Sequence, residues 1–120
     1  MGHSHILIID NEMYIRDIFS HFLSNEGYDI QVAKSNDDAL EYIKKFKFDL
    51  ILADINMAGM TFTNFLTILK GSNSLKNIPV IAVTGVPHLI PDTDLKQIQS
   101  VLEKPFEPAE LLNQVKLALS

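Results

Sequence analysis

Apolar positions along this chain obey two periods that take turns. His5 to Asp10 is a solid apolar run closed by a carboxylate, Asp49 to Asp54 is a second, and Ile78 to Thr84 is a third run of the same kind. Continuous Val/Ile/Leu runs mark parallel strands that helices cover on both faces. Tyr28 to Ala33 alternates more, through Ile30 and Val32, and predicts an edge strand; Ser100 to Glu103 predicts a short fifth one. Between these runs the period becomes helical. From Glu12 onward Ile15, Ile18, Phe19 and Phe22 recur at helical spacing until Gly27 stops the helix. Ser35-Asn36-Asp37-Asp38 opens the next helix as a capping box, with Ala39, Leu40, Ile43 and Phe46 predicted to face inward. Phe62, Phe65, Leu66 and Leu69 share one face of a third helix ending near Gly71. Glu107-Pro108 opens a last helix with Leu111, Leu112, Val115 and Leu119 inward.

One stretch breaks the rhythm. Gly85-Val86-Pro87-His88-Leu89-Ile90-Pro91 carries two prolines, each lacking a backbone donor and resisting helix, so the fourth helix is expected to start late, near Asp92 to Asp94. Strict alternation of strand and helix implies right-handed crossovers and an α/β fold, a five-stranded parallel sheet with helices on both faces. Length and core content fit one domain over residues 1–120.

Charge and composition narrow the function. The formal charge is −5, and the ten Lys and Arg residues are scattered apart from Lys44-Lys45-Lys47, which argues against a general nucleic-acid binder. That trio reads as the solvated last turn of a helix, favoured there by the helix dipole. The absence of cysteine excludes disulfides and thiolate metal sites and fits a reducing cytosol. No apolar run approaches the ~18 residues of a membrane span, and the start shows no signal-peptide pattern, so a cytoplasmic protein without membrane contact is expected.

Ligands of open α/β sheets collect beyond the carboxyl ends of the strands. Those ends present Asp10 and Asn11, Asp54 with Asn56, Thr84, and Lys104. Each residue has a place in acyl-phosphate chemistry. A carboxylate can attack phosphorus, a divalent ion held by oxygen ligands can offset charge, and an ammonium and a hydroxyl can stabilise the rest. Singly, each has an ordinary structural use as a cap, a strand-end hydroxyl or a surface cation.

Together they resemble the receiver domain of bacterial two-component response regulators. The matching stretches are Ile6-Leu7-Ile8-Ile9-Asp10-Asn11-Glu12, Asp49 through Met57, Pro79 through Gly85, and Glu103-Lys104-Pro105-Phe106, and the resemblance covers essentially the whole chain. It implies a flavodoxin-like doubly wound sheet of strand order 2-1-3-4-5, and Asp54 as the residue phosphorylated from a histidine kinase's phosphohistidine. It further implies Mg²⁺ near Asp10, Asp54 and the main-chain carbonyl of Asn56, with Thr84 and Lys104 on the phosphoryl group and a cis bond before Pro105. The implied partners are a histidine kinase or phosphotransfer protein and an output domain or downstream protein, with homodimerisation through helices four and five open. No direct nucleic-acid contact is implied. Such a module assists its own phosphorylation and dephosphorylation and is not a conventional enzyme.

The chain departs from the family pattern in places that matter. A second acid usually follows the first strand's Asp and ligates the metal; here Asn11 supplies an amide oxygen without charge, so Mg²⁺ is expected to bind more weakly. Asn11 also has a structural reading as the cap of the first helix. Val101 stands where receivers of the Thr-aromatic switch carry Tyr or Phe, so output is expected to take another form. Asn56 and Val86 flank the site, and Val86 offers no polar atom to orient a water, which points to slow hydrolysis of phosphoryl-Asp54. The alternative is a pseudo-receiver, an interaction module that keeps the fold around a decayed metal site and works without phosphorylation. A phosphatase using Asp54 is disfavoured, because the acid such enzymes need two residues later is Asn56.

Overall fold

Residues 3–120 are described by the computed structural model; Met1 and Gly2 of the expected 1–120 domain lie outside the described residues. Five strands, β1 (His5–Ile9), β2 (Asp29–Ala33), β3 (Leu50–Asp54), β4 (Val80–Thr84) and β5 (Ser100–Glu103), form one parallel sheet of order β2-β1-β3-β4-β5. The helices are α1 (Met13–Asn25), α2 (Asn36–Lys45), α3 (Phe62–Lys70), α4 (Asp92–Leu95) and α5 (Pro108–Leu119). The three solid apolar runs occupy the centre, where β3 and β4 are buried at every residue and β1 at all but its first. The alternating β2 lies at an edge, as its pattern predicts.

Side chains leaving the sheet in opposite directions build two cores. Leu7, Ile9, Ile51 and Ala82 pack with Ala39 and Ile43 of α2 and Phe62, Phe65, Leu66 and Leu69 of α3. Ile6, Ile8, Leu50, Ile81 and Val83 pack with Phe19 and Leu23 of α1 and Leu111 and Val115 of α5. Helix starts follow local chemistry: the Ser35 hydroxyl accepts from Asp38 N at 3.0 Å while the Asp38 carboxylate accepts from Lys34 N at 3.2 Å.

The structure corrects two local expectations. Phe46 is 47% exposed instead of inward, because α2 ends at Lys45 and the extended backbone of Phe46 (φ −133°, ψ 153°) swings its ring off the core face. Asn11 does not cap α1. The cap position is Glu12, and the carboxylate serving its amide belongs to Asp10. The fourth helix starts at Asp92, as late as the two prolines predict, and is a single turn preceded by a 3₁₀ turn over Pro87–Leu89.

Candidate functional site

Four strand ends deliver four side chains to one place. Asp10 follows β1, and its amide donates to Ala33 O at 3.0 Å, so the carboxylate is fixed by the sheet and fully buried. Asp54 is the last residue of β3 and 6% exposed. Each carboxylate uses its Oδ1 in the same way: Asp10 accepts from Glu12 N at 2.9 Å, and Asp54 from Asn56 N at 2.9 Å. These side-chain turns are a local habit of Asp, and they pin both loops where the sheet ends. Thr84 ends β4 with its hydroxyl accepting from Val86 N at 3.0 Å. Lys104 follows β5 with its amide donating to Thr84 O at 2.8 Å, and the peptide between Lys104 and Pro105 is cis.

The ammonium closes the constellation. Lys104 Nζ lies 3.3 Å from Asp54 Oδ2 and 3.5 Å from Asp10 Oδ2, so one cation bridges both acids. Burial pushes the Asp10 carboxyl above its ordinary value, aided by the Asp54 charge and opposed by the Glu12 amide and Lys104. Burial alone would pull Lys104 down, but the two carboxylates outweigh it and hold the ammonium protonated to higher pH. An open crevice of about 410 Å³ lies over the group, lined by Asn11, Glu12, Asp54, Asn56, Thr84 and Lys104 among others. Asn11 thus stands at the mouth while Asp10 lies beneath.

Two supporting residues escaped the sequence reading. Arg16 Nη1 donates to Asp10 O at 2.7 Å, holding the loop after β1. Asn36, fully buried in the first turn of α2, donates from Nδ2 to Met60 O at 2.8 Å and ties the loop after β3 to that helix. Sequence reading assigns such residues to helix surface and helix start, where Arg and Asn are ordinary, so no local signal marks them.

The chain matches the family model of the response regulator receiver domain over residues 6–116. It belongs to that family. Among curated relatives, the regulatory protein VanR of Enterococcus faecium is 34% identical over 95% of this chain and 49% of its own length. The chemotaxis response regulator CheY4 of Vibrio cholerae superposes with a TM-score of 0.88 at 28% identity, covering 98% of this chain and all of the other. The response regulator TrrA of Thermotoga maritima, solved in complex with Mg²⁺ and BeF, superposes with a TM-score of 0.87 at 28% identity, covering 97% and 99%. The chain spans about half the length of most of the curated relatives it matches, as with the 49% of VanR. It is a receiver domain of two-component signalling, a family of signalling modules, and its strand order is that of the flavodoxin-like fold. Among the described residues no helix is long and apolar enough to cross a membrane.

Receiver domains generally bind Mg²⁺, and the donors here suit it. The carboxylates of Asp10 and Asp54, the Asn11 amide and the Asn56 carbonyl are all hard oxygen ligands, the kind Mg²⁺ takes while keeping several waters. Anionic charge is sparse. Among the described residues no group of three or more His, Asp or Glu side chains is placed to hold a metal.

Proposed function

We propose that Asp54 accepts a phosphoryl group from the phosphohistidine of a histidine kinase or phosphotransfer protein, and that the new charge switches the chain's contacts with an output domain or downstream protein. The observation that carries this reading is the single ammonium of Lys104 lying 3.3 Å from Asp54 and 3.5 Å from Asp10 inside the open crevice. An Asp54 carboxylate oxygen attacks phosphorus as the phosphorus–nitrogen bond to the donor imidazole breaks. The electron pair of that bond goes to the ring nitrogen, and the departing ring is a neutral imidazole because its other nitrogen carries a proton or the freed nitrogen takes one from solvent. Lys104 moves its donors from the two carboxylates toward the incoming phosphoryl oxygens, and the Thr84 hydroxyl, turned from the Val86 amide, donates to another.

Asp10, Asp54, the Asn11 side chain and the Asn56 main-chain carbonyl would hold Mg²⁺, which when bound offsets charge on the phosphoryl oxygens. The neutral Asn11 weakens that hold. Val86 presents no hydrogen-bonding side chain to a hydrolytic water, so phosphoryl-Asp54 persists. Residues 1–120 serve as one receiver unit, acting in the cytoplasm where ATP-dependent kinases are charged. The convergence of acids, hydroxyl and ammonium favours this switch over a pseudo-receiver.

The test is labelling with acetyl phosphate at increasing Mg²⁺, read by intact mass. Wild type should gain one phosphoryl group, Asp54→Asn none. Persistence of labelling in Asp54→Asn would overturn the assignment.

A further inference from the structure

All strands run toward the site, so the helices return from it and their C-terminal turns gather at the opposite end of the molecule. Lys44 and Lys45 lie in the last turn of α2, Lys70 in that of α3, and Lys96 caps α4. Lys47 and Lys76 sit in the loops re-entering β3 and β4. Six of the chain's ten cationic side chains therefore stand at one end of the α2–α3–α4 side of a protein whose net charge is −5. Helix dipoles account for Lys44, Lys45, Lys70 and Lys96, but Lys47 and Lys76 lie outside helices.

A groove runs among these lysines. Two hollows of about 580 and 440 Å³ meet at Ile78, the first walled by the apolar Ile43, Phe48 and Leu75, the second by Lys70, Lys76 and Lys96. The half-exposed Phe46 ring belongs to the first hollow, between Lys45 and Lys47. Glu41 faces Lys44 at 3.8 Å, and Asp49, in the wall of the first hollow, accepts from the His5 amide at 2.8 Å; the other carboxylates of this end, Asp29 at the start of β2 and Glu26 paired with Lys116 at 3.5 Å, stand outside the linings of both hollows.

We propose that this groove docks an acidic polypeptide segment of a partner protein, its carboxylates on the lysine rim and its interspersed apolar side chains on the Ile43, Phe48 and Ile78 floor. Charge complementarity selects the occupant. The rim is lysine throughout, a set of compact point charges without the planar fork by which Arg grips phosphate in two places. The surface is concave with an apolar floor, a shape for a chain of side chains more than for a flat bilayer. An extended polyanion would also meet the field of the whole acidic molecule, whereas a short segment meets chiefly its basic end. The groove lies at the end of the molecule opposite Asp54 and Lys104 and shares no residue with their crevice.

The test uses a fluorescein-labelled peptide of Glu-Glu-Leu repeats, titrated in fluorescence anisotropy at low salt, with amide shifts mapped by NMR. Saturable binding should perturb Ile43, Phe48 and Ile78. The triple variant Lys45→Glu, Lys47→Glu, Lys76→Glu should weaken it by about tenfold or more, consistent with the loss of several screened charge pairs. The neutral Lys45→Gln, Lys47→Gln pair should weaken it less, and Lys34→Glu, near the site end, should leave it unchanged. The lysines changed in the groove are exposed, so far-UV circular dichroism should not move. Absence of saturable binding, equal binding by the triple variant, or tighter binding of duplex DNA or phosphatidylglycerol vesicles than of the peptide would each overturn the proposal.

Discussion

Asp10 shows what the site costs and what it needs. Its carboxyl is fully buried and held above the ordinary range, chiefly by burial. Because its folded value is raised, the penalty to stability sets in as pH rises above 3.8, where the unfolded carboxyl ionises, and is complete once the folded value is passed. Asp10→Asn in metal-free buffer at neutral pH should therefore stabilise the fold by about 1 kcal/mol or more, since Asp54 alone then balances Lys104. Urea denaturation checks it, and a loss of stability would show that Lys104 needs both acids. At the mouth, Asn11→Asp restores a charge near the ion, and should tighten Mg²⁺ by about tenfold or more in a calorimetric titration. The gathering of Asp10, Asp54, Thr84 and Lys104 was legible in the sequence because each closes or follows a strand of one parallel sheet. The roles of Arg16 and Asn36 were not, because they act through backbone carbonyls that no local pattern announces.

At the scale of elements, periodicity located the five strands and four of the five helices, the two prolines marked the late start of the fourth, and the ends depended on backbone geometry that a hydrophobic pattern does not carry. Phe46 fits the helical period of α2 and is still outside it, since the chain turns extended one residue earlier. The fourth helix shows the reverse dependence. A four-residue helix has no stability of its own, and α4 is anchored by the buried Asp94, which accepts from the Thr63 hydroxyl of α3 at 2.5 Å. Thr63→Val removes that donor. The expected results are a loss of about 1–2 kcal/mol in urea denaturation and faster amide exchange confined to residues 92–97, as a buried acceptor is left unpaired. Exchange that quickens equally in α5 would point to a global effect and refute the anchor.

At the scale of the molecule, topology does what no segment does alone. Strict alternation implied one parallel sheet, and the family resemblance supplied its order, which the structure has. What the sequence could not give is distance: that residues 10 and 104, ninety-four positions apart, share a hydrogen bond follows only from the placing of β1, β3 and β5. The same arrangement sets the response to metal. Mg²⁺ should raise the melting temperature of wild type slightly and of Asn11→Asp more, because the stabilisation follows occupancy of the folded state alone. Chelator should return both to their starting values without unfolding.

That last outcome follows from the ammonium held between the two carboxylates. A tethered cation already answers the repulsion that would otherwise strain a vacant pocket, so scarcity of magnesium mutes the signal and spares its carrier. Returning ion would find its oxygen donors already assembled at the ends of the strands.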